Sequence, residues 1–387
     1  MLGKSRIETR VIYLLSMVLM TAYAAVFTLL AEIRSAFGFS EFSVGLIAGS
    51  AFIAGFIAQL SLSGLADHGY GKPLLILGIL SSIVAIVWMM FAEDFWSWLL
   101  SRSLLGFGAG CARPGIRRYL LLNPDQAGKR LGSLAAWEMV GFLIGPIFSS
   151  ILFSIGGLAA PFFVIALCLL FMLPFLWTLS IPQSYEPTKR VIRTLLKRKS
   201  IQACLFLGIA FYIAIGLFEA VWALFMHDLG ASQLFIGITL SLFTLPCIVI
   251  APWAGNFSQK RNTIRIVTVS LSIATVCMCF YGVIESIWWL CIPLVIHSVV
   301  DAVTIPAIQL AVGKASGEGA LAAGQGLFGA TGLVVAAAAS LGGSYTYQIA
   351  GAFWLWMGSA VIMAGFIWLG VLLGRQYDWR FENPTLK

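Results

Sequence analysis

Apolar stretches long enough to cross a lipid bilayer recur along the whole sequence, and they leave few folds open to it. An α-helix needs about 20 apolar residues to span the ~30 Å hydrocarbon core of a membrane. Hydrophobic residues make up 60% of the chain and charged residues only 10%, whereas soluble domains carry about 25% charged residues. The sequence therefore predicts an all-α membrane protein with twelve transmembrane helices, at 11–30, 42–62, 73–92, 97–116, 131–154, 158–181, 202–226, 233–254, 265–284, 287–311, 319–341 and 350–374.

The basic residues predict how these spans are oriented. Of the 24 Lys and Arg residues, all but Arg34, Arg102 and Arg113 lie in the terminal segments or in loops on the same side as the N-terminus. Cytoplasmic loops carry an excess of Lys and Arg, so we expect both termini in the cytoplasm of a bacterium and a multi-pass protein in its inner membrane. The net charge of +8 then belongs to the membrane surface and does not indicate a nucleic-acid partner.

The longest polar stretch, 182–200, separates two halves of six spans. We expect an N-terminal six-helix half at 1–181, a basic cytoplasmic linker at 182–200 and a C-terminal six-helix half at 201–387. The linker combines basic residues with apolar ones at helical spacing, which is typical of an amphipathic helix on the anionic inner leaflet; a site for a regulatory partner is the alternative. These apolar residues are Val191, Ile192, Leu195 and Leu196.

An internal repeat supports the division into halves. Residues 37–45, FGFSEFSVG, match residues 229–237, LGASQLFIG, and each copy leads into the second span of its half. Two six-span halves in parallel repeat are the architecture of the major facilitator superfamily. The chain resembles that family over essentially its whole length, which implies the major facilitator fold.

The loop after the second span, SGLADHGYGK at 63–72, resembles that family's signature G-x-L-A-D-R-x-G-R-K. The Leu-Ala-Asp core and Lys72 match, whereas Ser63 and His68 replace a glycine and an arginine. The resemblance implies that Asp67 and Lys72 contribute to gating on the cytoplasmic side, with His68 as a weaker, titratable partner. The alternative is a glycine-rich turn without a gating role.

Span 4 contains RSLLGFG at 102–108, which resembles the family's R-x-x-Q-G-x-G motif with Leu105 in place of the glutamine. An arginine within a bilayer needs a carboxylate, a carbonyl or water as a partner. In proton-coupled relatives this arginine, here Arg102, is implicated in proton transfer; an ion pair with Glu138 of span 5 would give it a structural role instead. Arg113 lies eleven residues on, within about 20° of the same helix face. Two arginines on one face favour an anionic substrate, unless Arg113 sits in the headgroup region.

In span 5, Gly141, Gly145 and Pro146 form a G-x-x-x-G-P pattern that resembles the motif of the antiporter branch of the superfamily. Glycines four apart let helices approach closely, and a proline bends the helix. The resemblance implies a role in gating and in the direction of transport. Ordinary helix packing in a membrane is the alternative.

Two acids in the second half resemble those of bacterial quinolone and multidrug efflux proteins, the drug:proton antiporter group. Glu219 follows Phe218 in span 7, and Asp301 precedes a Pro-Ala pair in span 10. The resemblance implies that both acids carry protons and meet cationic drugs, in a cavity lined by spans 1, 4, 7 and 10.

The physical properties of these residues support the same roles. A carboxylate within a bilayer costs at least ~2.5 kcal/mol, and burial favours its protonated form near neutral pH. A helix would place Tyr212, Glu219, Trp222 and Met226 on one face, so that an acid lies among groups that attract cations. His297 and Asp301 are one turn apart and able to share a proton; a histidine hydrogen-bonded in the core is the alternative.

The expected function is that of a proton-coupled secondary transporter, not an enzyme, that exports lipophilic, cationic small molecules by alternating access. Its partners would be the substrate, protons and the bilayer, and we expect a monomer without cofactor or metal. A transporter of an organic anion or anionic amphiphile that uses Arg102 and Arg113 is the alternative. An intramembrane enzyme or a receptor has less support, because the sequence lacks H-E-x-x-H, a nucleophile elbow and a nucleotide-binding loop.

Overall fold

Twelve long helices, numbered α1 to α12 in chain order, make up most of the computed structural model, which describes residues 2–179, 181 and 191–379. No strand occurs in those ranges. A short helix, Val191–Leu196, lies outside the numbering. The long helices are Leu2–Phe37, Glu41–Leu65, Gly71–Met89, Phe95–Leu121, Ala127–Gly156, Ala159–Thr178, Lys199–Asp228, Gln233–Gln259, Thr263–Val283, Ile287–Ser316, 321–350 and 352–374.

These helices coincide with the predicted spans, and the number twelve is confirmed. By length and composition alone, the described ranges contain nine apolar segments long enough to cross a membrane. Two of those segments, Ser43–Met89 and Glu318–Gly374, each hold two helices. The remaining helix is α4, which carries four arginines and is therefore less apolar.

Several helices extend beyond the apolar stretches that predicted them. α1 runs Leu2–Phe37, whereas its apolar stretch is 11–30. A helix satisfies its backbone hydrogen bonds internally, so it is able to continue beyond the hydrocarbon core into polar surroundings. Hydropathy marks the part that crosses the bilayer and not the ends of the helix.

Two sharp turns of the chain depend on glycine. A wide helical turn at Ala66–Tyr70 joins α2 to α3, with Gly69 at a φ of +94°. α11 and α12 are separated by Gly351, whose φ is +81°. Both values lie in the left-handed region, which glycine adopts without the strain a Cβ would cause.

The internal repeat is reproduced in the backbone. Gly38 and Gly230 both have positive φ, at +67° and +84°. Two residues later, Ser40 and Ser232 each accept a hydrogen bond from the backbone N–H three positions on, and each caps the helix that follows. Equivalent turns therefore lead into α2 and α8.

The contacts between helices divide the chain into two compact units. The first comprises Met1–Leu120, Trp137–Lys189 and Glu318–Ala330; the second comprises Leu121–Ala136, Arg190–Gly317 and Thr331–Lys387. The sequence boundary at 182–200 stays a prediction. Of the predicted linker, 182–190 lies outside the described residues. Val191–Leu196 forms the short helix, in which Leu195 is buried, and Lys199 and Ser200 begin α7.

Small residues hold the helices of the first unit together. A methyl group at Gly78 of α3 would collide with the carbonyl of Gly108 on α4, and one at Gly106 would collide with Ala51 of α2. Such close approach of backbones is how membrane helices pack without a hydrophobic driving force between them.

The second unit has an aromatic core instead. The ring of Phe218 on α7 stacks on Trp222 at 4.8 Å and on Phe243 of α8 at 4.7 Å. Tyr281 of α9 and Trp356 of α12 complete the cluster, with their centroids 5.4 Å apart. Large rings fix the relative positions of four helices here.

Candidate functional site

The interior of the second unit holds an acid and a base one turn apart on α10. Asp301 and His297 are 4% and 0% exposed, and His297 Nε2 lies 3.7 Å from Asp301 Oδ2. Neither carboxyl oxygen accepts a hydrogen bond from any residue that the structure describes, although buried polar groups are nearly always paired. The structure thus brings the predicted pair together, in an arrangement able to share one proton.

Rings from three other helices enclose His297. The hydroxyl of Tyr281 lies 3.2 Å from His297 Nδ1, and the two rings stack with their centroids 6.1 Å apart. Phe218 and Phe243 meet the imidazole edge-on, at 5.3 and 5.7 Å. Sequence reasoning missed Tyr281, because spacing along one helix carries no information about a residue on another. The one available signal was a hydroxyl-bearing ring within the apolar span of α9.

Glu219 lies on α7 but outside this enclosure. Its side chain is exposed, and so is the neighbouring Ala220. Trp222 and Met226 are fully buried, and the indole N–H of Trp222 donates to Thr239 Oγ1 at 3.0 Å. No contact joins Glu219 to Asp301 in the part of the chain that the structure describes.

The predicted face of α7 therefore divides between the surface of the second unit and its core. The four residues lie within about 80° of one another around the helix, but they meet different neighbours at different levels. Tyr212 is half-buried, and a methyl group at Gly332 of α11 would collide with its ring. Trp222 and Met226 belong to the core of the unit, and Glu219 is the accessible member of the set.

Two arginines of α4 share one aromatic ring in the first unit. The guanidinium carbons of Arg102 and Arg113 lie 4.9 and 5.5 Å from the ring centroid of Tyr23 on α1, as expected of residues on one helix face. Arg102 is fully buried, whereas Arg113 is half-buried with its Nη2 2.9 Å from Met20 Sδ. The ion pair of Arg102 with Glu138 stays a prediction.

Asp67, in the wide turn after α2, is buried and well supplied with hydrogen-bond donors. Its Oδ1 accepts from Arg118 Nε at 2.8 Å and from the N–H of Ala322 at 3.0 Å, and its Oδ2 accepts from the N–H of Ala323 at 2.9 Å. The first turn of a helix presents free N–H groups and the positive end of its dipole. Asp67 thus caps α11 within the first unit and pairs with the arginine at the end of α4.

The other residues of this loop bind elsewhere. His68, the expected weaker partner of Asp67, places its Nδ1 2.9 Å from the carbonyl of Gly64 in its own helix. Lys72 donates from Nζ to the carbonyl of Trp177 at 2.7 Å. Sequence reasoning had counted Arg118 only as a cytoplasmic charge, because nothing in the spacing of the chain connects it to Asp67.

The second unit repeats this helix cap with an uncharged residue. Gln259 accepts through Oε1 from the N–H of Gly128, in the first turn of α5, at 2.7 Å, and its Nε2 donates to the carbonyl of Pro124. Gly128 lies so close to Gly255 that a methyl group on either would collide with the other's carbonyl. Gln259 was also missed from the sequence, although the offset between the repeats, applied to Asp67, leads directly to it.

The glycine motif of α5 packs against α1 in the first unit. A methyl group at Gly141 would collide with the carbonyl of Met17, and one at Gly145 would lie 2.6 Å from the Cβ of Ala24. Thr21 Oγ1 donates to the carbonyl of Gly141 at 3.3 Å. Pro146 follows within the helix. The motif makes a close helix contact, and its part in gating stays a prediction.

Comparison with known proteins identifies the family. The profile of the Major Facilitator Superfamily matches residues 12–218 and 204–378. A protein named multidrug resistance protein MdtG, from Enterobacter lignolyticus, is 24% identical over 279 residues, which are 68% of this chain and 66% of that protein. The aligned part of the chain thus spans slightly less than two thirds of that relative.

Two solved structures have the same fold. The E. coli fucose:proton symporter FucP aligns with a TM-score of 0.80 and 14% identity, over 96% of this chain and 99% of that one. The human organic anion transporter MFSD10 (TETRAN) aligns with a TM-score of 0.70 and 16% identity, over 95% and 99%. They confirm the predicted fold, and because the family profile covers most of the sequence, the chain belongs to the major facilitator superfamily.

Proposed function

We propose that this chain is a proton-coupled secondary transporter of the inner membrane, with both termini in the cytoplasm, that exports lipophilic cations by alternating access. The observation that carries the proposal is the enclosed pair of Asp301 and His297. An acid at that depth costs at least about 2.5 kcal/mol when ionised, and Asp301 has no described hydrogen-bond donor to offset it. A group so placed is suited to binding and releasing a proton.

The distribution of charge favours a cation as substrate. Glu219 offers an exposed carboxylate within a membrane-spanning helix. Arg102 and Arg113 of α4 already face Tyr23, and Arg113 also contacts Met20. Binding of a cation and protonation of an acid both offset negative charge in the second unit, so each disfavours the other. The name of the MdtG relative, a multidrug resistance protein, supports export of drug-like molecules.

The remaining site residues are assigned roles within this proposal. Arg102, buried over Tyr23, takes part in proton coupling. Asp67 and Lys72 belong to the gate on the cytoplasmic side, because they bind the start of α11 and the end of α6. Gly141, Gly145 and Pro146 let α1 and α5 move against each other as the gate operates.

Proton flux in inverted membrane vesicles tests the proposal. Addition of the lipophilic cation tetraphenylphosphonium is expected to release protons from acidified wild-type vesicles, and Glu219→Gln or Asp301→Asn is expected to abolish that release. Asp94→Asn is the matched control: Asp94 is an exposed helix cap, and asparagine caps equally well. If both variants retain wild-type flux, the assignment of these acids is wrong.

Arg113→Gln separates this proposal from transport of an organic anion. Loss of the positive charge is expected to leave cation transport intact, because Arg113 faces Tyr23 and Met20. An anion transporter would instead lose substrate binding, which equilibrium binding of a labelled anion would detect.

A further inference from the structure

The two acids of the second unit lie in different surroundings. Asp301 is 4% exposed, within the aromatic core, whereas Glu219 is exposed. The residue before Glu219, Phe218, packs edge-on against His297. Successive residues on a helix point about 100° apart, so Glu219 is directed away from the enclosure that holds His297 and Asp301.

We propose that the second unit divides its work between two sites: Tyr281, His297 and Asp301 form an enclosed proton site, and Glu219 alone meets the cationic substrate. In this site Asp301 holds the proton, His297 exchanges it, and Tyr281 is the positioning residue that fixes the imidazole. The inference rests on the proposed function and assigns separate tasks to the acids that the function invokes together.

The site binds one proton. Either the Tyr281 hydroxyl or His297 Nδ1 is able to donate across their 3.2 Å contact. In our proposal the hydroxyl donates, which leaves the other imidazole nitrogen, with its hydrogen, directed at Asp301. In the empty state the carboxylate is ionised and receives that hydrogen. One added proton makes the site neutral, either as a carboxylic acid or as an imidazolium–carboxylate pair. In the ion pair the proton enters at Nδ1, and the Tyr281 hydroxyl turns from donor to acceptor. The 3.7 Å separation closes to hydrogen-bond length with a movement of about 0.5–1 Å.

No strong charge from the neighbouring helices opposes this cycle. From α9, Cys277 and Tyr281 face Asp301, and both are neutral when protonated. α8 contributes Phe243 and contains no Asp, Glu, Lys or Arg between 233 and 259. α7 presents the ring of Phe218. The charge state of Asp301 therefore depends chiefly on the site's own proton.

Infrared pH titration of the purified full-length protein tests the proton site without any substrate. We expect a carboxylic acid band that Asp301→Asn removes and Glu219→Gln leaves in place. Tyr281→Phe keeps the ring but removes the donor that selects the favourable tautomer. The midpoint of the carboxylic acid band of Tyr281→Phe should lie about half to one pH unit higher than that of the wild type. Without the favourable tautomer, His297 donates less to the Asp301 carboxylate, and the ionised form is less stable.

Tyr345→Phe, at a tyrosine of α11 that is 64% exposed, is the matched control and should titrate as the wild type. A band that survives Asp301→Asn would overturn the proton site. A midpoint that is unchanged or lower in Tyr281→Phe would overturn the positioning role of Tyr281.

Binding of tetraphenylphosphonium to the same purified proteins tests the division of work. Glu219→Gln is expected to weaken binding at least tenfold at every pH, whereas Asp301→Asn is expected to keep the affinity within about threefold and to lose its pH dependence. An equal loss in both variants would overturn the division while the proposed function stands. If the wild type neither binds nor transports the cation, the proposed function and the substrate role of Glu219 both fail, and the infrared band still decides on the proton site.

Discussion

At the scale of single residues, the ion pair of Asp67 and Arg118 stands out because both side chains are 0% exposed. Removing one partner of a buried pair typically costs about 3–5 kcal/mol, since the remaining charge has already lost its water. We predict that Asp67→Asn lowers the thermal unfolding temperature of the detergent-purified protein by several degrees.

Asp94→Asn provides the comparison for that measurement. The hydroxyl and N–H of Ser97 hold the pKa of Asp94 below its usual range, but the side chain is exposed and asparagine retains the acceptor. Its unfolding temperature should stay at the wild-type value. Equal stability of Asp67→Asn and wild type would show that the buried pair contributes little.

Contacts between residues of one helix were predictable from the sequence, and contacts between residues of different helices were not. His297 and Asp301 are four positions apart, so their proximity follows from the helical repeat alone. Tyr281 and Arg118 reach their partners from other helices. Their places depend on how helices pack, which a pattern within one span does not encode.

At the scale of helices, the contact between α1 and α5 depends on the absence of a side chain. Alanine at Gly141 would collide with the carbonyl of Met17 and force the helices apart. We predict that Gly141→Ala lowers both the unfolding temperature and the transport rate. Gly49→Ala is the control, because no atom lies within 4 Å of a methyl group there and alanine favours the helix. Similar behaviour of the two variants would mean that the close contact is not required.

The uncharged cap of α5, Gln259, allows a second prediction about helices. Gln259→Ala leaves the N–H of Gly128 without its described acceptor, and an unmade hydrogen bond at a buried group costs about 1–3 kcal/mol. Gln259→Glu keeps an acceptor and adds a negative charge near a helix N-terminus, which is favourable. In thermal unfolding we expect the alanine variant to be destabilised and the glutamate variant to recover part of the loss, because it restores the acceptor for Gly128 but not the donor to the Pro124 carbonyl. A glutamate variant as unstable as the alanine one would argue against the cap.

At the scale of the whole molecule, the number of helices and the repeat followed from the sequence, whereas the make-up of the two units did not. The segments Leu121–Ala136 and Glu318–Ala330 each belong to a unit different from that of the residues just before them. Glycine contacts such as that between Gly128 and Gly255 account for part of this arrangement. A hydropathy pattern records which residues avoid water, not which helix they touch.

The orientation of the chain is a prediction for the whole molecule. The excess of Lys and Arg on the N-terminal side predicts that both ends lie in the cytoplasm. A fluorescent protein fused after Lys387 should therefore fold and fluoresce, and alkaline phosphatase at the same position should be inactive. Active phosphatase there would reverse the orientation.

Two ions of matched size and shape test whether a proton gradient drives export of a lipophilic cation. Inverted vesicles with an acidic interior, containing the wild-type protein, are supplied with either tetraphenylphosphonium or tetraphenylborate. We predict gradient-dependent uptake of the cation that collapses when the gradient is dissipated, and no protein-dependent uptake of the anion. Uptake of the borate alone, or uptake of the cation that is indifferent to the gradient, would contradict it.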